Sequence, residues 1–209
     1  MNINDIYNKI ENEKLMAIVR KNTIDEIVDL CLFLEESGVK VMEVPFTILN
    51  AHEAIKTLSS KLSSDTLLGA GTIINKKDAK LAIKSGAKFL VSPVFDKSVA
   101  KVAKRYKTPI ISGVSTPKDV HEALKANIKV LKLFPANQFS FSMIKDLKGP
   151  FPNIEIIPTG GMNLENFKNW LQNGAFAVGV ASDITKGSKE EIKVKLDDYF
   201  AAIKLVKNR

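Results

Sequence analysis

One lysine, Lys132, sits in the middle of the apolar run KVLKLFPA, flanked by Val130, Leu131, Leu133 and Phe134. The run reads as a buried strand, where an ammonium without a partner is costly. A second apolar run, VKVMEVP, carries a single carboxylate, Glu43. Side chains alternate across a strand, so Lys132 shares a face with Val130 and Phe134, and Glu43 shares one with Val41 and Pro45. With both faces turned inward, an amine and a carboxylate meet inside an apolar enclosure. One reading is structural: an ion pair, or a lysine that reaches back to the surface along its own stem. The other is chemical. Burial disfavours an ammonium, and a free amine attacks ketones to form Schiff bases. A neighbouring carboxylate then moves the protons that imine formation and carbon–carbon cleavage require. Arg20, at the end of the apolar run LMAIV, adds a third charged group to apolar strands and favours the chemical reading. Lys132 is then the covalent nucleophile and Glu43 the acid–base group.

The elements that must position these groups are legible as a pattern. Eight short apolar runs follow one another: LMAIV, VKVMEV, LLGAGTII, AKFLVSPV, TPIISGV, IKVLKLF, IEIIPTG and AFAVGV. Segments with helical spacing stand between them, among them NTIDEIVDLCLFLEES, NKKDAKLAIKS, TPKDVHEALKA and NLENFKNWLQN. This alternation predicts parallel strands covered by helices. The stretches ESGVKVMEV, KSGAKFLVS and QNGAFAVGV share one form, and KANIKVLKL is a variant with Asn127 at the turn. Gly38, Gly86 and Gly174 suit the left-handed residue that stops a helix, and asparagine tolerates that position next best. The form recurs on every second strand–helix unit, a regularity natural to a closed barrel. Eight units of roughly 26 residues predict a single (β/α)8 TIM barrel over residues 1–209, preceded by a short helix over about residues 2–13.

Barrel chemistry collects at the C-terminal ends of the strands. Arg20, Glu43, Thr72, Ser92, Pro93, Lys132, the turn Thr159 to Gly161 and the stretch Gly179 to Ser182 all stand there. The ends of strands seven and eight are the usual phosphate site of such a barrel, where backbone N–H groups surround an anion. Gly160, Gly161, Gly179 and Ser182 suit that role, the plainer reading of TGG being a tight turn.

Composition excludes several other classes. The chain has 209 residues and a formal charge of +8, but its lysines are spread along the sequence without a run of five. That predicts a solvated surface and no nucleic-acid partner. A lone cysteine, Cys31, and two distant histidines, His52 and His121, leave no disulfide and no metal framework. The opening stretch MNINDIYNKIENEK is polar and no apolar run approaches membrane-spanning length. The expected location is therefore cytoplasmic, with no membrane partner.

With these residues placed, the chain resembles the 2-keto-3-deoxy-6-phosphogluconate (KDPG) aldolase and 4-hydroxy-2-oxoglutarate (KHG) aldolase family. The likeness runs from MAIVR to GVASDI, carried by MEVPFT, GAGTIIN, VSPVFD, LKLFPA and GPFPNIEIIPTGGMN in that order. It implies a (β/α)8 barrel, a homotrimer, and class I cleavage of a keto-acid or sugar-acid phosphate to pyruvate without metal or separate cofactor. It places the Schiff-base lysine at Lys132 and the acid–base glutamate at Glu43. Thr72 falls near the substrate carboxylate and Pro93 lines the site. Thr159, Gly160, Gly161, Gly179, Ala181 and Ser182 fall in the phosphate region. Two positions depart from the family pattern. Thr47 stands where some members hold the pyruvate carboxylate with arginine, and Arg20 matches the members that use the end of strand one instead. Ala181 replaces a glycine, and its methyl narrows the expected phosphate pocket. The galactonate epimer is an alternative substrate. A barrel isomerase or synthase and a non-catalytic sugar-phosphate binder are alternative functions.

Overall fold

The computed structural model describes residues 1–207, so the last two residues of the expected barrel range lie outside the described residues. Its eight strands are β1 Leu15–Ile18, β2 Val41–Pro45, β3 Leu67–Gly71, β4 Phe89–Val91, β5 Ile110–Val114, β6 Val130–Leu133, β7 Glu155–Pro158 and β8 Val178–Val180. All pairings are parallel, in the order β7-β6-β5-β4-β3-β2-β1-β8, and a single bridge between Thr159 and Gly179 joins the two ends. The result is the (β/α)8 TIM barrel that the alternation predicts. Helix α1 spans Ile3–Glu13 and precedes the first strand. The others are α2 Ile24–Glu36, α3 Ala51–Lys61, α4 Lys76–Lys84, α5 Lys97–Tyr106, α6 Pro117–Lys125, α7 Met143–Lys148, α8 Leu164–Gln172 and α9 Lys189–Lys207.

Strand alternation divides the core in two. Ala17, Met42, Val44, Leu68, Leu131 and Leu133 face outward and pack under the helices. Met16, Val41, Leu67, Phe89, Val130 and Ile157 face inward and fill the barrel. Ile6 and Ile10 of α1 are buried in that inner cluster, so α1 closes the N-terminal end. Each such side chain contributes about 1.5–3 kcal/mol on burial. The Tyr7 hydroxyl donates to the Ile110 carbonyl at 3.0 Å and fastens α1 to β5. The helix begins at Ile3 rather than residue 2. Asn2 is extended and caps it, accepting from the Asp5 N–H at 2.9 Å while its own N–H donates to the Asp5 carboxylate at 2.8 Å.

Helix boundaries follow local chemistry elsewhere too. Thr23, Asn75, Asp96, Thr116 and Asn163 cap α2, α4, α5, α6 and α8 through their side chains, each cap contributing about 1 kcal/mol. Gly38, Gly86 and Gly174 have φ of +98°, +108° and +88°, and Asn127 has +60°. These are the left-handed stops expected ahead of β2, β4, β6 and β8. Among the described residues, no helix is long and apolar enough to cross a membrane.

Candidate active site

Glu43 lies on β2, in register with Ile18 and Gly69, and Lys132 lies on β6, in register with Gly113 and Ile157. Both project into the barrel above the inner apolar layer. The Lys132 Nζ stands 4.0 Å from the Glu43 Oε1, with the two side chains 7% and 1% exposed. A buried ion pair that serves only structure closes to a charge-assisted hydrogen bond of about 2.7–2.9 Å, because its desolvation is otherwise uncompensated. This pair does not close, and the Glu43 Oε2 has no hydrogen-bond partner among the described residues. Amine and carboxylate are thus held side by side with bonding capacity left over. Burial pushes the Glu43 carboxyl above its usual range, and the charges of Lys132 and Arg20 pull it back only in part.

Interior glycines let neighbouring groups pack closely around this pair. A Cβ on Gly71 would overlap the Glu43 carboxylate, and one on Gly69 would overlap the Phe89 ring. A Cβ on Gly113 would overlap the Pro93 backbone, and one on Gly179 the Thr159 side chain. Four inward positions without side chains thus leave room for the Glu43 carboxylate, the Phe89 ring, the Pro93 backbone and the Thr159 side chain. The Phe134 ring faces the Lys132 Nζ at 5.3 Å from its centroid, within cation–π range. Gly71 and Phe134 were not among the expected site residues. The period-two glycines of LLGAG were the available signal for Gly71.

The other expected residues surround this centre. Arg20 lies two residues beyond β1, on the alternation of Ile18, exposed but near enough for its charge to act on Glu43. Thr47 is exposed in the turn after β2. Thr72, half-buried, follows β3 with φ +56°. Ser92 is buried, its hydroxyl donating to the Val94 carbonyl at 2.6 Å, and Pro93 beside it is half-buried against Gly113. Thr159 is buried at the end of β7, and Gly160 and Gly161 follow with φ of +104° and +69°. The Asn166 amide donates to the Gly161 carbonyl at 2.8 Å and fixes that turn ahead of α8. Ala181 is half-buried, and Ser182 is exposed at the start of a short 3-10 turn, Ser182–Ile184. The Tyr199 hydroxyl donates to the Asp183 carboxylate at 2.7 Å and ties that turn to α9. Gly179 lies in the eighth strand, as expected. It is buried within β8, where its missing side chain lets β8 approach Thr159 and close the barrel.

Comparison with known proteins agrees with this geometry. The family model for KDPG and KHG aldolase matches residues 6–200. A 2-dehydro-3-deoxy-phosphogluconate aldolase of Haemophilus influenzae is 33% identical over 167 residues, 79% of this chain and 78% of its own. A 2-dehydro-3-deoxy-6-phosphogalactonate aldolase of Escherichia coli is 27% identical, covering 84% and 86% of the two chains. A KDPG aldolase of Legionella pneumophila, solved with pyruvate captured as a covalent carbinolamine intermediate, superposes with a TM-score of 0.80. It is 25% identical, covering 96% of this chain and 95% of that one.

Proposed function

The chain belongs to the KDPG and KHG aldolase family, and on that premise we propose that it is a class I aldolase working through Lys132. The preferred substrate is 2-keto-3-deoxy-6-phosphogluconate, cleaved to pyruvate and glyceraldehyde 3-phosphate. 4-Hydroxy-2-oxoglutarate, cleaved to pyruvate and glyoxylate, is a second substrate of the same site. The observation that carries the proposal is the buried Lys132–Glu43 pair held at 4.0 Å with the Glu43 Oε2 unpartnered. The carbinolamine trapped in the Legionella relative supports the same chemistry.

In this mechanism the Lys132 amine attacks the substrate ketone carbon to give a carbinolamine, which loses water to a protonated imine. Glu43, directly or through a water, takes the proton from the C4 hydroxyl. The C3–C4 bond breaks, its electron pair passes to the imine as an enamine, and the aldehyde leaves. The enamine carbon is reprotonated with Glu43 as the proton source. Water then hydrolyses the imine and frees pyruvate and Lys132. The imine is the electron sink, so no step calls for a metal or another cofactor. The turns Thr159–Gly161 and Ala181–Ser182 receive the phosphate, and Thr72 and Pro93 line the pyruvyl end. The catalytic unit is a single barrel over residues 1–209, and its homotrimeric assembly is part of the same proposal, open to light scattering.

A pyruvate-release assay tests the substrate assignment. The phosphorylated gluconate is expected to have the highest kcat/KM, followed by 4-hydroxy-2-oxoglutarate. Preference for the galactonate epimer would reassign the substrate, and absence of pyruvate from all three would favour a non-catalytic binder.

The pyruvate carboxylate needs a charge-assisted partner. Thr47 is neutral and exposed, whereas the charge of Arg20 acts on Glu43. We assign the carboxylate to Arg20, whose planar fork suits it. Arg20→Ala is expected to weaken pyruvate binding by about 1.5–3 kcal/mol, the scale of a hydrogen bond to a charged group. Unchanged pyruvate affinity in that variant would place the carboxylate elsewhere.

A further inference from the structure

The net positive charge of this chain resides on one side of the barrel. Residues 76–129, which hold α4, α5 and α6, carry thirteen Lys and Arg against four Asp and Glu, a net +9. The rest of the chain carries eighteen against nineteen, a net −1. The four acids of that side are engaged locally. Asp78 accepts from the Asn75 amide, Asp96 and Asp119 cap α5 and α6, and Glu122 pairs with Lys125. Among the described residues, none of the other twelve cations there forms an ion pair.

Three of these cations share one helical face. Lys97, Lys101 and Lys104 recur at the spacing that stacks side chains along α5. They meet Lys125 of α6 across a groove of about 350 Å³, whose apolar lining is Phe95, Ala100 and Ala126 and whose one acid, Glu122, is paired with Lys125. That volume lies within the range of small-molecule sites, about 300–1,000 Å³. The three unpaired ammonium groups of α5, beside a partly apolar lining and outnumbering the single carboxylate of Glu122, concentrate anions. A group bearing one or two charges leaves part of this lysine set unmatched, whereas linked phosphates match it.

We propose that the groove between α5 and α6 binds a small molecule carrying two or more linked phosphate groups. The site is separate from the barrel mouth and shares no residue with the Lys132 centre. The phosphates belong to an inorganic chain or to an organic polyphosphate whose remaining part rests on Phe95.

Titration calorimetry of the full chain with tripolyphosphate and with ATP, at low ionic strength, tests the site. One saturable event per chain is expected with tripolyphosphate. Tighter binding of ATP would identify the organic class, and equal or weaker binding the inorganic chain. Lys101→Glu/Lys104→Glu should weaken binding by about tenfold or more, since each lost charged contact is worth at least that factor. Lys97→Gln/Lys125→Gln should do the same by a milder route if charge reversal disturbs folding. Lys76→Glu/Lys80→Glu on α4 should leave affinity within about twofold, because those residues lie outside the groove. Absence of saturable binding would overturn the proposal. So would binding that survives both groove variants, which places the anion at the barrel mouth, or equal loss in the α4 variant, which reduces the effect to diffuse charge.

Discussion

Lys132→Arg is expected to lower turnover by roughly 10⁴-fold or more, the scale on which removing a covalent nucleophile acts, while the barrel keeps its fold. Arginine preserves a cation beside Glu43 but has no protonation state able to attack a ketone. The substitution therefore separates the two readings of a buried lysine. If the pair with Glu43 were only structural, arginine would keep its charge and much of its function. The 4.0 Å gap between Nζ and Oε1 already weighs against that reading, because a structural pair would have closed it. Pyruvate release measured beside a circular dichroism melt decides the matter. Turnover within tenfold of the parent chain would remove Lys132 from the chemistry.

Glu43→Gln is the second large effect, a loss of about 10²–10⁴-fold in kcat, as expected of a general acid–base group, with a much smaller change in KM. The amide keeps the shape that the Gly71 hollow accepts but cannot take a proton from the C4 hydroxyl. The pH profile gives an independent reading of the same residue. Burial raises the Glu43 carboxyl above its usual range, and the base form is the active one. Activity of the parent chain should therefore fall with decreasing pH through an apparent pKa higher than that of an ordinary glutamate. That acid limb should be missing from the residual activity of Glu43→Gln. A limb that persists unchanged in the variant would belong to another group, and an unchanged kcat would remove Glu43 from the mechanism.

Much of this site was legible in the sequence because strands obey a strict alternation. A charge in an apolar run has one face to occupy, and Val130 and Val41, on the faces of Lys132 and Glu43, do lie in the inner cluster. The helix stops at Gly38, Gly86, Asn127 and Gly174 were equally visible, since few residues tolerate a positive φ. What stayed hidden depends on distances between strands. The period-two glycines of LLGAG mark Gly71 as unusual, but its role shows only when β2 and β3 pair and bring its missing side chain against the Glu43 carboxylate. Gly179 was legible as part of strand eight, but its bridge to Thr159, which joins the two ends of the sheet, appears only in the structure. The lysines misled in the opposite direction. Spread along the chain, they predicted a solvated surface, but the acids are distributed unevenly, so residues 76–129 carry a net +9 and the rest of the chain a net −1.

The central claim is a covalent bond between substrate and one lysine. The direct test is borohydride reduction of the full chain in the presence of pyruvate, followed by intact mass and peptide mapping. One reduced pyruvyl group per chain, located on Lys132, is the result expected from an amine that forms a Schiff base. A label on any other lysine, or no label on a chain that releases pyruvate from its substrate, would contradict the mechanism.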